Sequence, residues 1–354
     1  MRIAPGTLAV CVLAVAGVVL AADLPTERIS GGLRANLVGS IDRPLRYTPS
    51  GGAFVITNGA EFFNRPLYCD NTACRIDAGD KPELSFYLPG RGGNLRLGFR
   101  TAKGLKWLND ADCVIARYVA GSMTYEINDQ KLEGCRELHL TVVPLSGSKG
   151  VMVRVITVAQ TGEIELVWAF GGANGMKGRR SGDIGCEREP VSRMFQLRPE
   201  QCAGSHFTIA SNSFTLRTKS ATLAGVASSG AELRVGDANL WSQPAELLSV
   251  FERGESSSAP TTNALVVGRL SLARGVPVFL AIQPLESGSV TLSSGHLAET
   301  FAAAEAHRQA VAGRVVVETP DEFVNAAASA LNVAADAVWD EQQSAFMHGG
   351  VAWR

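Results

Sequence analysis

Between about residues 33 and 285 the chain is written as short β-type runs punctuated by Gly, Asn, Asp and Pro. Gly52-Ala-Phe-Val-Ile-Thr57, Glu83-Leu-Ser-Phe-Tyr-Leu88, Asn94-Leu-Arg-Leu-Gly-Phe99, Val151-Met-Val-Arg-Val-Ile-Thr157 and Glu163-Ile-Glu-Leu-Val-Trp168 are examples. Several alternate apolar with polar residues, the period a strand with one buried face requires. Asn58-Gly59 and Asn128-Asp129 follow such runs and read as turns. No helical period separates the runs, which excludes a βαβ fold and predicts one large antiparallel β-sandwich over 33–285. The Ser-rich stretch Gly254–Pro260 is then an internal loop.

The text changes near residue 293. Leu297, Phe301, Ala304 and Val311 fall on one helical face, interrupted by Arg308 and stopped by Gly313. A helical linker is therefore expected over 293–318. Thr319-Pro320-Asp321-Glu322 then reads as a capping box, with Thr319 at the N-cap, Pro320 at N1 and Glu322 at N3. Phe323, Ala327, Leu331, Ala334 and Val338 mark the buried stripe of a helix running to about Gln343. A single amphipathic helix cannot bury its own face. The expectation is the first helix of a further domain, truncated here; the competing reading folds the helix back onto the sandwich.

The first apolar stretch reads as an export signal. Arg2 supplies the positive end, Leu8–Leu20 the apolar core, and Ala21 and Ala22 the small residues of a cleavage site. A membrane anchor would need a longer apolar run, and Asp23-Leu24-Pro25 breaks this one. Cys11 lies inside the apolar core, the wrong place for a lipid-modified cysteine. The mature chain is expected to be periplasmic or secreted, with no membrane contact after cleavage.

Export gives meaning to the six remaining cysteines, Cys69, Cys74, Cys113, Cys135, Cys186 and Cys202. An even number in an oxidising compartment favours disulfides. Three local bridges are expected: Cys69–Cys74 across a tight turn, Cys113–Cys135 between neighbouring runs, and Cys186–Cys202 around a charged excursion. Zinc is the rival, but no C-x-x-C or nearby His pair is present.

With 33 Lys+Arg against 34 Asp+Glu, the chain has no basic excess to hold a nucleic acid. It carries no G-x-S-x-G, no H-E-x-x-H, no phosphate-binding loop and no dinucleotide fingerprint. Its five histidines are scattered, and no cofactor or metal is implied. Asn109-Asp110-Ala-Asp112 lacks the spacing and distal Glu of a calcium loop and reads as a turn. Trp107, Trp168 and Trp241 could form a sugar platform or a core, with Trp241 the least committed to a core. Gly171–Gly185 concentrates Lys177, Arg179 and Arg180 among glycines. It reads as a flexible surface loop or as a loop whose Arg179 and Arg180 reach an anionic sugar or acidic side chain in a neighbouring cleft.

Asn58-Gly-Ala-Glu-Phe-Phe-Asn-Arg-Pro-Leu-Tyr68, Ala78-Gly-Asp-Lys-Pro-Glu-Leu-Ser-Phe-Tyr-Leu-Pro-Gly90, Gly92-Gly-Asn-Leu-Arg-Leu-Gly98 and Gly121-Ser-Met-Thr-Tyr-Glu126 carry a resemblance. They resemble the N-terminal domain of a family of exported bacterial proteins linked to polysaccharide use. Trp339-Asp340 and Met347-His-Gly-Gly-Val-Ala-Trp-Arg354 resemble the start of that family's second domain, an (α/α)6 toroid of the six-hairpin glycosidase type. The resemblance implies that residues 319–354 begin such a toroid, whose remainder is the sandwich's partner. A sandwich, a linker and a toroid, in that order, resemble glucoamylase-like hydrolases and disaccharide phosphorylases, and export favours the hydrolase.

The expected function is the N-terminal part of an exported glycoside hydrolase-like protein in polysaccharide degradation. Its expected partner is a glycan or oligosaccharide. The alternative is a non-catalytic carbohydrate-binding or scaffolding module. Trp353, Arg354 and His348 are expected near the sugar site of the complete protein. No catalytic residue is assigned: Asp321 and Glu322 serve the helix start, Asp340 and Glu341 lie near its end. The carboxylate pair that glycoside hydrolysis needs is expected downstream.

Overall fold

A computed structural model describes residues 33–35, 41–43 and 47–346, apart from 60–63, 70–73, 89, 133, 136, 177–195, 253–260, 287–288, 290–291 and 341–342. The chain divides into two compact units. In residues 1–45, strands β1 (Leu33–Ala35) and β2 (Ile41–Arg43) form an antiparallel hairpin. Among the described residues the strands of the two large sheets run from Thr48 to Pro284.

The second unit opens with β3 (Thr48–Ser50), β4 (Ala53–Thr57), β5 (Asn64–Tyr68), β6 (Arg75–Gly79) and β7 (Glu83–Leu88). Then come β8 (Gly90–Thr101), β9 (Gly104–Trp107), β10 (Cys113–Val119), β11 (Ser122–Asn128), β12 (Glu137–Pro144), β13 (Val151–Val158) and β14 (Ile164–Gly171). Strands β15 (His206–Ala210), β16 (Ser213–Arg217), β17 (Thr222–Ala227) and β18 (Glu232–Asp237) precede a short helix, α1 (Pro244–Leu248). β19 (Ala264–Leu272) and β20 (Val278–Pro284) complete the two large sheets. Helices α2 (Leu297–Ala312) and α3 (Glu322–Val338) follow, then a small hairpin of β21 (Trp339–Asp340) and β22 (Ala345–Phe346).

One sheet has ten strands in the order β15-β16-β17-β20-β13-β12-β11-β10-β4-β3. The other has eight, β18-β19-β14-β8-β7-β6-β5, with β9 added against β8. All the pairings are antiparallel, so the fold is mainly β, a sandwich followed by helices. β18 and β19 are neighbours in one sheet, and Gly254–Pro260, read from sequence as an internal loop, lies outside the described residues.

Period-two alternation turns one face of each sheet into a shared core. Leu95, Leu97 and Phe99 of β8, Met123, Tyr125 and Ile127 of β11, and Leu138, Leu140 and Val142 of β12 are buried in it. Each such aliphatic side chain contributes roughly 1.5–3 kcal/mol on burial. Tyr125 keeps its phenol satisfied by donating to the Gly79 carbonyl at 2.7 Å. Trp168 of β14 lies opposite Gly268 of β19. A β-carbon at 268 would stand 2.1 Å from the indole Cε2, so only glycine leaves room for the ring.

Each sheet is also covered on its outer side. Trp107, Trp241, Leu247 and Leu248 pack with Val167 and Val267 over the eight-stranded sheet. Leu297, Phe301 and Ala304 of α2 pack with Val143, Met152 and Ala281 over the ten-stranded sheet. Arg308, the residue that interrupts the apolar face of α2, is itself buried. It donates to the carbonyls of Val119 and Ala120 at 3.2 and 3.0 Å and pairs with Glu305.

α3 departs from its expected boundaries. Asp321 is the N-cap, its carboxylate accepting from Phe323 N at 2.8 Å. Thr319 instead accepts from Asp321 N at 3.2 Å, bracing the turn before the helix. The helix ends at Val338, not near Gln343, because Trp339 turns extended and packs edge-on against Phe346, centroids 5.0 Å apart. Its buried stripe is Ala326, Val333 and Ala337. The stripe read from sequence is only half-buried, and its Leu331 is 66% exposed. α3 thus carries two neighbouring apolar stripes, one of which the sandwich and α2 cover.

Candidate functional site

The open part of the ten-stranded sheet's outer face runs beside α2. Antiparallel register aligns Arg117, Thr124, Thr141 and Arg154, one from each of β10 to β13, in a single row. Glu126, His139 and Ile156 form the next row. Phe301, Glu305 and Gln309 of α2 stand along the side, and the enclosed groove has a volume of about 370 Å³. Small-molecule sites span roughly 300–1,000 Å³.

Most of its charges are internally balanced. Arg117 pairs with Glu126 at 2.8 Å, His139 meets Glu137 at 2.8 Å, and Glu305 is held by Arg308 and Gln309. Arg154 stacks its guanidinium 4.8 Å from the Phe301 centroid and donates to Thr141 Oγ1 at 3.3 Å. Its Nε is buried without a hydrogen-bond partner. A smaller cavity of about 30 Å³, bordered by Tyr68, His307, Arg308 and Asp336, lies between α2, α3 and the sheet, with room for one water. Burial pushes the Tyr68 phenol up to about 12, so it stays protonated there.

Arg179, Arg180, His348, Trp353 and Arg354 fall outside the described residues, as does the export signal. The described ends of the Arg179–Arg180 excursion are both tied to Arg91. Its N–H donates to Met176 O at 2.9 Å and its Nη2 to Gln196 O at 3.0 Å. Burial lowers that guanidinium to about 10.

The expected disulfides are corrected: among the described residues Cys69, Cys74, Cys113, Cys135 and Cys202 are thiols outside any disulfide, and Cys186 lies outside the described residues. Cys69 and Cys74 do meet, with sulfurs 3.2 Å apart, but as a thiol–thiol contact in which Cys69 also donates to Gly150 O at 3.3 Å. Cys135 directs its sulfur to the carbonyls of Glu137 and Val158 at 3.0 and 3.5 Å, while Cys113 sits opposite Asn128 at the start of β10. Cys202 is fully buried, and burial pushes its thiol up to about 12.

The three tryptophans are core residues, each at most 4% exposed. Trp241, the least committed by sequence, stacks under Arg96 at 4.8 Å. Asp112 belongs to a turn: Lys106 Nζ sits between it and Asp129 at 2.7 and 2.6 Å. Among the described residues no group of three or more His, Cys, Asp or Glu could hold a metal. None of their helices is long and apolar enough to cross a membrane.

The class defined by this geometry is a two-sheet antiparallel sandwich strapped by a helix. The chain belongs to the family described as Domain of unknown function (DUF4450), whose model matches residues 88–305. No curated protein matches it. A solved structure similar to it is that of a bacterial glucoamylase complexed with acarbose, at 9% identity and a TM-score of 0.43. The match covers 83% of this chain and 38% of that one, so the chain spans about two-fifths of its length.

Proposed function

We propose that this chain is the N-terminal, β-sandwich part of an exported glycoside hydrolase-like protein that acts in polysaccharide degradation. The observation that carries the proposal is the doubly apolar α3. Leu331 and Val324 are 66% and 45% exposed on a helix whose other stripe is already packed on the sandwich. Val315 and Val316, just before it, are exposed too. A helical domain packed on this stripe, the beginning of an (α/α)6 toroid, would bury them. The sequence resemblance supports the same order of parts, and the leader at residues 1–22 supports a periplasmic or secreted location. The absence of disulfides among the described residues lends export no support.

In this reading the sandwich positions the toroid, and the catalytic carboxylates come from the toroid. The test uses the full gene product, assayed for reducing-sugar release from a panel of plant and microbial polysaccharides. Release that vanishes on mutating a toroid carboxylate is expected. A full product without a helical domain, or one inactive on every glycan, overturns it. The groove of about 370 Å³ favours the second reading, a non-catalytic carbohydrate-binding module, because it lies wholly within the sandwich and its strap.

A further inference from the structure

Five arginines on the outer faces of the two sheets are paired with carboxylates. Arg75 pairs with Asp77 at 3.2 Å, Arg96 with Glu83 at 2.8 Å, Arg100 with Glu165 at 2.6 Å, Arg117 with Glu126 at 2.8 Å and Arg269 with Glu232 at 2.9 Å. Such pairing gives a half-buried guanidinium acceptors in place of the water it loses. Arg154 is not so paired, and neither is Arg234, which donates to its neighbour's carbonyl, Leu233 O, and stacks on Phe251 away from the groove. Among the described residues Arg154 has no carboxylate partner, and its one side-chain hydrogen bond, to Thr141, is long at 3.3 Å.

Its position is nonetheless fixed. The Phe301 ring packs against the guanidinium, and Phe301 is itself wedged against Phe279 with centroids 5.6 Å apart. The carboxylates around the groove are already engaged: Glu305 by Arg308, Glu126 by Arg117, Glu137 by His139. Here a cation is held in place, lines a ligand-sized groove and is left without an internal counter-ion.

We propose that this groove binds an acidic sugar, with Arg154 receiving its carboxylate. Hydroxyls of Ser122, Thr124 and Thr141 and the Gln309 amide line the same groove and suit a polyhydroxylated ring. A neutral sugar is disfavoured, because its usual stacking surface, an aromatic face, is occupied by the guanidinium itself. Guanidinium–carboxylate recognition is geometrically specific, which separates a sugar acid from a diffuse anion. The inference rests on the proposed glycan role for its ligand class, but the site belongs to the sandwich and not to a toroid.

The test is a ligand-observed NMR titration of the full chain with digalacturonate, with maltose and inorganic phosphate compared at equal ionic strength. Digalacturonate is expected to bind at least tenfold more tightly than either. Arg154→Gln should weaken it tenfold or more. Gln309→Glu, at an exposed position on α2, should weaken it several-fold by repulsion while lowering the melting temperature only slightly through its i,i+4 like-charge pair with Glu305, and serves where Arg154→Gln fails to fold. Absent binding, equal binding of maltose or phosphate, or a Gln309→Glu protein that binds as the wild type does overturns the proposal. Activity of the complete protein on neutral glycans, with no digalacturonate binding, would remove this site and leave the hydrolase reading standing.

Discussion

Arg308 Nη1 donates to the carbonyl oxygen of Ala120 at 3.0 Å, across 188 residues of chain. The bond pins α2 to the turn between β10 and β11. Together with the bond to Val119 O it satisfies two carbonyls that the helix shields from water. Arg308→Ala is expected to cost about 2 kcal/mol, since it strands the Ala120 carbonyl and leaves Val119 O to Ser122 and the Glu305 carboxylate to Gln309 alone. Urea denaturation measures this, and a loss below about 1 kcal/mol would show that the strap does not depend on this residue.

Acid should act on the Lys106–Asp112–Asp129 turn. The Gln130 N–H, and after it Lys106, hold the Asp112 carboxyl below its ordinary value. A folded value below the unfolded one means the unfolded chain binds the proton more readily. The contribution is therefore fully present above the unfolded value, about 3.9, and is lost as pH falls through the folded one. Urea midpoints between pH 2 and 5 should fall less steeply for Asp112→Asn than for the wild type. Parallel curves would rule the carboxylate out of the acid response.

The side chain of Asp129, fully buried, does more than its neighbour. It accepts from Lys106 Nζ, from Asp112 N at 3.0 Å and from Lys131 N at 2.8 Å. Asp129→Ala should cost roughly 3–4 kcal/mol, because two backbone donors and a cation lose their acceptor together. Thermal melting compared with Asp112→Ala checks the ranking; a smaller loss at 129 would reverse it.

Alkylation should discriminate among the thiols. Burial pushes Cys202 up to about 12, and the bond with Cys69, with burial after it, raises Cys74. Thiolates are the reactive form, so iodoacetamide at pH 8.5 should leave both unmodified in the native chain and label both in guanidinium. The raised folded value of Cys202 also means that its stabilising share is whole below the ordinary thiol value and drains away as pH climbs toward 12. Native labelling at the rate of a free thiol would contradict the buried placement.

The two stripes of α3 should respond oppositely. Leu331→Lys, at a 66% exposed position, should leave the melting temperature within about 0.5 kcal/mol equivalent. Val333→Asp, 8% exposed beside Ala120 and Val311, should release α3 from the sandwich. Hydrogen exchange along α3 separates the two, and protection lost in Leu331→Lys would mean that the stripes are assigned the wrong way round.

The strands were legible because alternation and turn residues are local signals: Val151–Thr157 and Asn94–Phe99 both lie within observed strands. Sheet order was not legible, since the placement of β20 beside β13 depends on a pairing of segments more than a hundred residues apart in sequence. The α3 stripe was misjudged because the helix is apolar around much of its circumference, and periodicity alone cannot say which part meets the sandwich. The groove was missed for the same reason. Arg154 is the lone charge in Val151–Thr157, a visible signal, but its alignment with Thr141 and Thr124 exists only once β11, β12 and β13 are in register. Arg308 looked like a flaw in the face of α2, whereas the carbonyls it satisfies are supplied by a distant turn.

The space over Gly268 belongs to the indole of Trp168. Those two positions therefore share one allotment of volume, and neither can drift independently among descendants of this chain. Bulk can appear at 268 only in lineages where the tryptophan has already given way to something smaller. Where related sequences are aligned, a substituted 268 beside an intact tryptophan marks a sheet whose β14–β19 register has shifted.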